Sequence, residues 1–228
     1  MSTQTNPLVI SLGGSILSTQ EDNTAIVQTY VDWLLDLAKT RRVAVIIGGG
    51  YRARFAMQQA KQDNPNITAE QLDEIGIAAS RANAEVMRKL CGVTDEIITD
   101  PRVPLSAEPG LVFGAGWIPG RSTDYDAVLL AITNNISTVY NLSNITQIYT
   151  QDPKTHPDAK PLNDITWTDL QKIVGGTWTP GLNMPFDPTA TTLAAWKGLT
   201  VKVVNGHTMA EVNKAIAGKL FIGTVVHP

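Results

Sequence analysis

Short apolar runs rich in valine and isoleucine alternate along this chain with longer segments in which apolar residues recur at helical spacing. Short β-branched runs predict buried strands, and segments with a helical period predict amphipathic helices. Their alternation favours a mostly parallel sheet sandwiched by helices. The predicted strands are Leu8–Ser11, Val43–Ile47, Glu96–Thr99, Leu111–Gly114, Thr138–Asn141 and Val201–Val204.

The predicted helices begin with the segment 23–40, whose apolar residues fall on one face. A second long helix is predicted from Thr68, which fits a capping box with Gln71, to Gly92. Shorter helices are predicted over Tyr125–Asn134, Asp169–Val174, Thr189–Lys197 and Met209–Ala217. Because the sequence has no internal repeat, low-complexity tract or flexible linker, we expect residues 1–228 to form one domain.

Two predicted strands run directly into glycines. The stretch VISLGGSIL leads to Gly13 and Gly14, and VAVIIGGGYRAR leads to Gly48–Gly50 ahead of a helix that carries Arg54. Glycine lets the backbone approach a ligand closely, and the free N–H groups at a following helix start can hold an anion. Two such junctions together predict a phosphate-binding site.

Two longer irregular stretches follow later strands. They read GAGWIPGRSTDYDA and NLSNITQIYTQDPKTHPDAKPL. Ligands of open α/β sheets bind outside the carboxyl ends of the strands. We therefore expect both stretches to line the same sheet edge as the two glycine junctions.

Composition narrows the function to small-molecule chemistry. The net charge is −3 and no run of lysine and arginine is present, which argues against a nucleic-acid-binding protein. The single cysteine excludes an internal disulfide framework, and the three histidines lack metal-ligand spacing. The polar start MSTQTNP and the absence of a long apolar run predict a cytoplasmic protein without a membrane span.

The motifs, taken in order, resemble those of the amino-acid-kinase superfamily, and most of all the archaeal-type uridylate kinases. They are Gly13-Gly14-Ser15, Gly48-Gly49-Gly50 with Arg54, DEIGIAASRANA, GAGWIPGRSTDYDA, IYTQDPKTHPDAK, PFDPTA and GTVVHP. The resemblance implies a three-layer α/β/α sandwich and transfer of the ATP γ-phosphoryl group to UMP with Mg²⁺, a step of pyrimidine nucleotide biosynthesis. It also implies an acceptor half at about 1–137, an ATP half at about 138–228, and a homohexamer built from dimers.

The resemblance also implies roles for individual residues. Gly14, Ser15, Arg54 and Asp124 are the implied catalytic residues around the transferred phosphate. The implied UMP contacts are Gly49, Asp73 at the ribose, and the loop Trp117, Ile118, Pro119, Gly120, Arg121, Ser122 and Thr123. The implied ATP contacts are Gly14, Ser15, Gly50, Arg54, Ser143, Asn144, Tyr149 and Asp152, and no residue is assigned as a metal ligand.

Several of these residues also fit a purely structural role. Asp124 could be the N-cap of the helix from Tyr125, Asp73 an acid in an early helical turn, and Asp152 an ordinary turn residue before Pro153. Arg121 could point to solvent, and Arg81 and Asn83, on a helix face that could form a subunit contact, are assigned no chemistry.

The chain departs from the superfamily pattern at two lysine positions. Ser11 stands two residues before the first glycine pair, and Thr191 and Thr192 stand after the Asp-Pro of PFDPTA. Arg54, Arg121, Lys154, Lys160 and Mg²⁺ remain as cations that could balance phosphate charge. The losses leave two other functions open: a non-catalytic protein that binds ATP and stores oxyanions, or a kinase for another small acceptor.

Overall fold

A mostly parallel sheet forms the centre of the computed structural model, which describes residues 7–19, 23–177, 179 and 184–228. The strands are β1 (Leu8–Leu12), β2 (Arg42–Ile47), β3 (Gly110–Gly114), β4 (Thr138–Ser143), β5 (Ile148–Tyr149), β6 (Pro161–Leu162), β7 (Asp164–Thr166), β8 (Thr200–Asn205) and β9 (Thr224–His227). Within the described residues, a seven-stranded sheet has the order β3-β2-β1-β4-β8-β9-β7, and β5 pairs with β6 in a separate ribbon. Strands β3, β2, β1, β4 and β8 run parallel, whereas β9 is antiparallel to β8.

Helices cover both faces of this sheet, which confirms the predicted α/β/α sandwich. They are α1 (Gly14–Leu17), α2 (Thr24–Ala38), α3 (Gly50–Asp63), α4 (Ala69–Leu90), α5 (Thr123–Thr133), α6 (Trp167–Val174), α7 (Pro188–Lys197) and α8 (Met209–Ile216). Successive residues of β1 alternate between the faces: Ile10 packs in one apolar cluster with α2, α4 and α8. Val9 packs in the other cluster with α5, α6 and α7.

The predicted strand Glu96–Thr99 is wrong. Only Ile98 pairs with the sheet, through a single bridge to Gly114, the last residue of β3. A bend at Asp95 precedes this segment, and a bend at Asp100 follows it, where the Asp100 carboxylate accepts from the Arg102 N–H. The two bends bound only four residues, of which Ile98 alone is bridged, although the apolar pattern alone resembles a strand.

Local sequence signals set the helix starts close to the predicted positions. Thr68 and Gln71 form the predicted capping box of α4. Asp187 caps α7, where Pro188 occupies the first turn, an arrangement that suits a residue without an N–H group. The second irregular stretch is more ordered than predicted, because it contains the end of β4 and both strands of the β5–β6 ribbon.

The parallel strands end at one edge of the sheet, as the pattern predicted. The segments after β1, β2, β3 and β4 therefore emerge side by side. No helix in the described part of the chain is both long and apolar enough to cross a membrane. Residues 1–6, on which the expectation about the polar amino terminus rests, lie outside the described residues.

Candidate active site

The two glycine junctions are in direct backbone contact. A Cβ atom added to Gly14 would lie 2.3 Å from both the carbonyl oxygen of Gly48 and the nitrogen of Gly50. A Cβ atom added to Gly50, whose φ is +62°, would lie 2.2 Å from the carbonyl oxygen of Gly14. Glycine is required at both positions because any side chain would separate the two junctions.

Asn83 of α4 holds the triple-glycine loop in place. Its amide nitrogen donates to the carbonyl oxygens of Gly48, at 2.9 Å, and Gly49, at 3.0 Å. No role for Asn83 was predicted from the sequence, but Asn83 is buried and its side chain faces the triple-glycine loop. Its helical spacing from Ser80 and Met87, which are also buried, is the signal that places it on the inner face of α4.

The loop Trp117–Thr123, which we call the acceptor loop because the resemblance implies UMP contacts there, is held to α4 at two points. The carboxylate of Asp73 accepts from the Gly120 N–H at 2.7 Å. The guanidinium of Arg81 donates to the carbonyl oxygens of Gly116 and Trp117, each at 3.1 Å. Asp73 therefore reaches across to the predicted acceptor loop, and Arg81 has an anchoring role that the sequence did not reveal.

The ends of this loop differ in exposure. Thr123 lies beside the second junction, since a Cβ atom on Gly48 would be 3.4 Å from its hydroxyl. Ile118 is exposed, and Pro119 is half-buried. Arg121 donates to the Gly120 carbonyl oxygen at 3.0 Å and stacks over the Tyr125 ring at 4.6 Å, so its guanidinium stays at the loop instead of pointing freely to solvent.

Asp124 lies where α5 meets the central strands. Its carboxylate accepts from the Ser11 hydroxyl and from the Asn141 amide, each at 2.7 Å, and from the backbone N–H of Asp187. Burial raises the pKa of Asp124 to about 6, and the nearby Asp187 charge adds to the shift. The N-cap interpretation of Asp124 is wrong, because the Ser122 hydroxyl caps α5 by accepting from the Tyr125 N–H.

Asp126, two residues further along α5, is a fully buried carboxyl group. One of its oxygens accepts from the Trp117 N–H at 3.1 Å, and the other has no hydrogen-bond partner. Burial raises the pKa of Asp126 to about 8, and the charges of Asp124 and Asp187 act in the same direction. Asp126 was not predicted as a site residue, because an aspartate one turn into a helix is ordinarily exposed.

We expect the free energy of unfolding to fall as the pH rises from about 5 to about 8. Asp124 and Asp126 keep their protons to higher pH in the folded chain than in the unfolded chain, where the pKa of aspartate is about 3.9. Their contribution to stability is therefore complete at low pH and is lost as the pH passes the folded pKa values. Asp126→Asn should raise the free energy of unfolding at pH 8 by a few kcal/mol and flatten this slope.

Urea unfolding at pH 5, 6, 7 and 8 measures this effect. Asp169→Asn is the control, because Lys172 holds the pKa of the exposed Asp169 below its ordinary value and the group stays ionised throughout. A wild-type stability that rises over this interval would contradict the prediction.

The remaining predicted site residues differ in their position relative to the glycine junctions and in their exposure. Ser15 and Ser143 lie beside Gly13, since a Cβ atom there would be 3.6 Å from the Ser15 hydroxyl and 3.5 Å from the Ser143 Cα. Arg54 is exposed in the second turn of α3. Asn144 is exposed directly after β4.

Tyr149 and Asp152 belong to a different element. Tyr149 is half-buried in β5, within the two-stranded ribbon, and Asp152 lies in the turn after it. The Asp152 carboxylate accepts from the Lys154 N–H at 2.9 Å, which confirms the turn interpretation of this residue.

Known proteins resemble this chain in both sequence and fold. The model of the amino acid kinase family matches residues 6–122 and 111–205. A uridylate kinase of Methanospirillum hungatei is 30% identical over 96% of this chain and 94% of its own length. A uridylate kinase of Pyrococcus abyssi is 28% identical over 97% of this chain and 99% of its own length.

The fold agrees with these sequence matches. The crystal structure of the uridylate kinase from Archaeoglobus fulgidus superposes with a TM-score of 0.79 at 26% identity, and the match covers 97% of this chain and 99% of that one. The matches extend over the glycine junctions, the acceptor loop and the late strands alike. With paired glycine junctions at the carboxyl edge of a parallel α/β/α sheet and matches over nearly its whole length, this chain belongs to the amino acid kinase family.

Proposed function

We propose that this protein is a uridylate kinase, which transfers the γ-phosphoryl group of ATP to UMP and releases UDP and ADP. An oxygen of the UMP phosphate forms the new bond to the γ-phosphorus, and the bond to the oxygen bridging to the β-phosphorus breaks. The observation that carries the proposal is the direct contact of Gly14 with Gly48 and Gly50, because the two backbone segments that we propose to bind phosphate then lie side by side. The relatives that match nearly the whole chain are named uridylate kinases, which supports UMP as the acceptor.

The transferred phosphoryl group would lie over the first glycine junction, Gly13–Gly14. The N–H groups at Gly14 and Ser15 are proposed to donate to its oxygens, since fixed donors stabilise charge that develops during transfer. Arg54 would contact the phosphates with its planar guanidinium, which matches phosphate oxygens. Its exposure on α3 leaves the side chain able to reach a bound ligand.

UMP would lie between the second junction and the acceptor loop. Gly49 permits a close approach, and the loop from Trp117 to Thr123 would surround the nucleotide. Asp73 supports this placement, because its carboxylate already holds the loop through Gly120 and has a second oxygen for a ribose hydroxyl. The loop is fixed before UMP arrives, so less conformational freedom is lost on binding.

ATP would lie on the other side of β1, over the half that starts at about residue 138. Ser143 and Asn144 at the end of β4 are proposed to contact the ribose and phosphates, with Gly50 on the phosphate side. Tyr149 and Asp152 are proposed to contact the adenosine. From β1 the sheet extends to β2 and β3 on one side and to β4 and β8 on the other. Ligands of open α/β sheets bind where the strand order reverses in this way, which supports this division.

Mg²⁺ is part of the proposal, and oxygen atoms at this edge fit it. Asn141 and Asp187 have buried side-chain oxygens without hydrogen-bond partners, beside the carboxylate of Asp124. Hard divalent cations prefer such oxygen ligands. When bound, Mg²⁺ would supply positive charge for the phosphates.

The assembly and the cellular setting are proposed from the resemblance. We propose a cytoplasmic homohexamer that acts in pyrimidine nucleotide biosynthesis. Phe55 on α3 and Val86 and Leu90 on α4 are exposed apolar side chains, which could contribute to a subunit contact.

Incubation with ATP, Mg²⁺ and each nucleoside monophosphate tests the activity. We expect UDP and ADP to form in equal amounts from UMP, with much slower turnover of the other acceptors. Tight ATP binding without any phosphoryl transfer would favour the storage function, and turnover of a different small acceptor would contradict the choice of UMP.

Asp73→Asn should raise the KM for UMP about tenfold and leave the KM for ATP unchanged, because a hydrogen bond to a charged acceptor contributes about 1.5 kcal/mol or more. The asparagine oxygen can still accept from the Gly120 N–H, while the amide nitrogen can no longer accept from a ribose hydroxyl. Initial rates at varied UMP and ATP concentrations measure this, with Glu74→Gln at the exposed neighbouring position as the control. Equal changes in both KM values would show that Asp73 only supports the fold.

A further inference from the structure

Side chains hold the main chain at Gly116 and Trp117, where β3 has ended and the acceptor loop begins. The Gly116 N–H donates to the Ser80 hydroxyl at 2.9 Å, and its carbonyl oxygen accepts from the Arg81 guanidinium. The Trp117 carbonyl oxygen also accepts from Arg81, and the Trp117 N–H donates to the Asp126 carboxylate at 3.1 Å. Each backbone polar group of these two residues therefore has a side-chain partner, whereas about two-thirds of the hydrogen bonds in folded proteins join backbone to backbone.

Of these three side chains, that of Asp126 ties the acceptor loop to its own far end. Ser80 and Arg81 belong to α4, whereas Asp126 belongs to α5, the helix into which the loop leads. The Asp126 N–H donates to the carbonyl oxygen of Ser122 at 3.0 Å, while its carboxylate accepts from Trp117. One residue thus joins the two ends of the acceptor loop.

The carboxyl group of Asp126 is costly to bury. It is 0% exposed, and its second oxygen has no hydrogen-bond partner. None of the ion pairs among the described residues includes it. A buried carboxyl group that is only partly satisfied costs stability. The next residues of α5, Ala127 and Val128, are buried and apolar, so an apolar side chain would suit the packing here. The hydrogen bond that the carboxyl group does make acts on the acceptor loop.

We propose that Asp126 is a positioning residue for the acceptor nucleotide, which through the Trp117 N–H fixes the acceptor loop in the conformation that binds UMP. The side chain of Asp126 is fully buried, so it acts through the loop and touches neither nucleotide. A loop that is fixed in advance loses less conformational freedom on binding. The inference deepens the proposed function and rests on it for the identity of the acceptor.

Two substitutions at this position separate the hydrogen bond from the charge. Asp126→Val fills much of the space but has no acceptor, so the KM for UMP should rise about tenfold while the KM for ATP stays unchanged, because a buried N–H loses its partner. Asp126→Asn keeps an oxygen that accepts from the Trp117 N–H, so its KM for UMP should stay within about twofold of the wild type. Initial rates at varied UMP and ATP concentrations measure both values.

Hydrogen exchange of the nucleotide-free protein reports on the loop directly. Mass spectrometry of peptides that cover residues 115–123 follows the N–H groups of the acceptor loop. Because exchange occurs through local opening, we expect these groups to exchange about tenfold faster in Asp126→Val than in the wild type. In Asp126→Asn they should exchange at the wild-type rate.

Asn134→Val is the matched control, because Asn134 makes the same kind of contact at the other end of α5. Its amide oxygen accepts from the Leu105 N–H at 2.6 Å, outside the acceptor loop. The KM for UMP and the exchange of residues 115–123 should both stay unchanged in this variant. Circular dichroism shows whether each variant has folded, and Asp126→Ala carries the same prediction as Asp126→Val if the valine does not fold.

Wild-type exchange or a wild-type KM for UMP in the folded valine or alanine variant would overturn the proposal. An equal rise in the KM for ATP would overturn it as well, because the effect would then not be confined to the acceptor side. The same holds if Asp126→Asn were as impaired as Asp126→Val, since the charge and not the hydrogen bond to Trp117 would then matter. The exchange measurement needs no nucleotide, so it decides whether Asp126 fixes the loop even if the wild type fails to turn over UMP, a failure that counts against the proposed function.

Discussion

Replacing Gly14 with alanine is expected to lower kinase activity about 100-fold or more, because misplacement of reacting groups by about 1 Å can cost that much. The new methyl group would lie 2.3 Å from the backbone of Gly48 and Gly50, where no flexible side chain can move away. The two junctions must therefore separate. Overpacking of this kind typically costs about 1–3 kcal/mol, so the free energy of unfolding should fall as well.

Gly50→Ala should have a larger effect, because two costs combine. The methyl group would lie 2.2 Å from the Gly14 carbonyl oxygen, and the φ of +62° is itself unfavourable for alanine. Steady-state rates and urea unfolding of both variants measure the outcome.

Three glycines with open surroundings provide matched controls. Gly176→Ala meets no atom within 4 Å and controls for Gly14→Ala. Gly92→Ala and Gly218→Ala have φ values of +65° and +69° with no atom within 4 Å, so they measure the backbone cost alone. If Gly50→Ala lost no more activity or stability than these two, contact between the junctions would not be what matters.

Asp124→Asn is expected to lower kcat about 100-fold, the lower end of what loss of one preorganised polar group in an active site costs. The carboxylate accepts from Ser11, Asn141 and Asp187 at once. An asparagine presents one oxygen and one N–H₂ group, so at least one of these donors would face another donor. The groups around the transferred phosphate would then lose their fixed arrangement.

Stability should change in the opposite direction from activity. Because burial raises the pKa of Asp124 to about 6, removal of its charge takes away an electrostatic cost at pH 8. We expect a free energy of unfolding at pH 8 that is equal to or above that of the wild type, despite the loss of kcat. Asp36→Asn should change neither quantity. An active Asp124→Asn enzyme, or one that is inactive only because it unfolds, would contradict the proposed role.

The predicted elements failed where tertiary contacts outweighed local pattern. The run Glu96–Thr99 has the composition of a strand, yet bends on both sides leave only Ile98 paired with the sheet. The β5–β6 ribbon was missed because each strand has two residues, too few for an alternating pattern to emerge.

In the candidate site, too, local sequence patterns identified some residues, whereas tertiary contacts decided the roles of others. The glycine motifs could be recognised in the sequence because special backbone conformations leave a mark in a single sequence. The roles of Asp73 and the acceptor loop come from the family resemblance and stay predictions. Asn83 and Arg81 could not be assigned roles, because their partners are backbone carbonyls more than 30 residues away. The interpretation of Asp124 as a cap was reasonable for a residue after a loop, but Ser122 took that position.

By itself, the sequence determined the layered α/β architecture and the common edge at which the motif loops emerge, because hydrophobic periodicity and strand direction are local properties that propagate through a parallel sheet. Only the tertiary structure decided that Gly14 touches Gly50 and that Asp124, Asn141 and Asp187 meet at the ends of the central strands. Contacts between distant segments depend on how strands are ordered and how helices pack over them. Burial and charge at such contacts, and hence the raised pKa values of Asp124 and Asp126, exist only once the chain has folded.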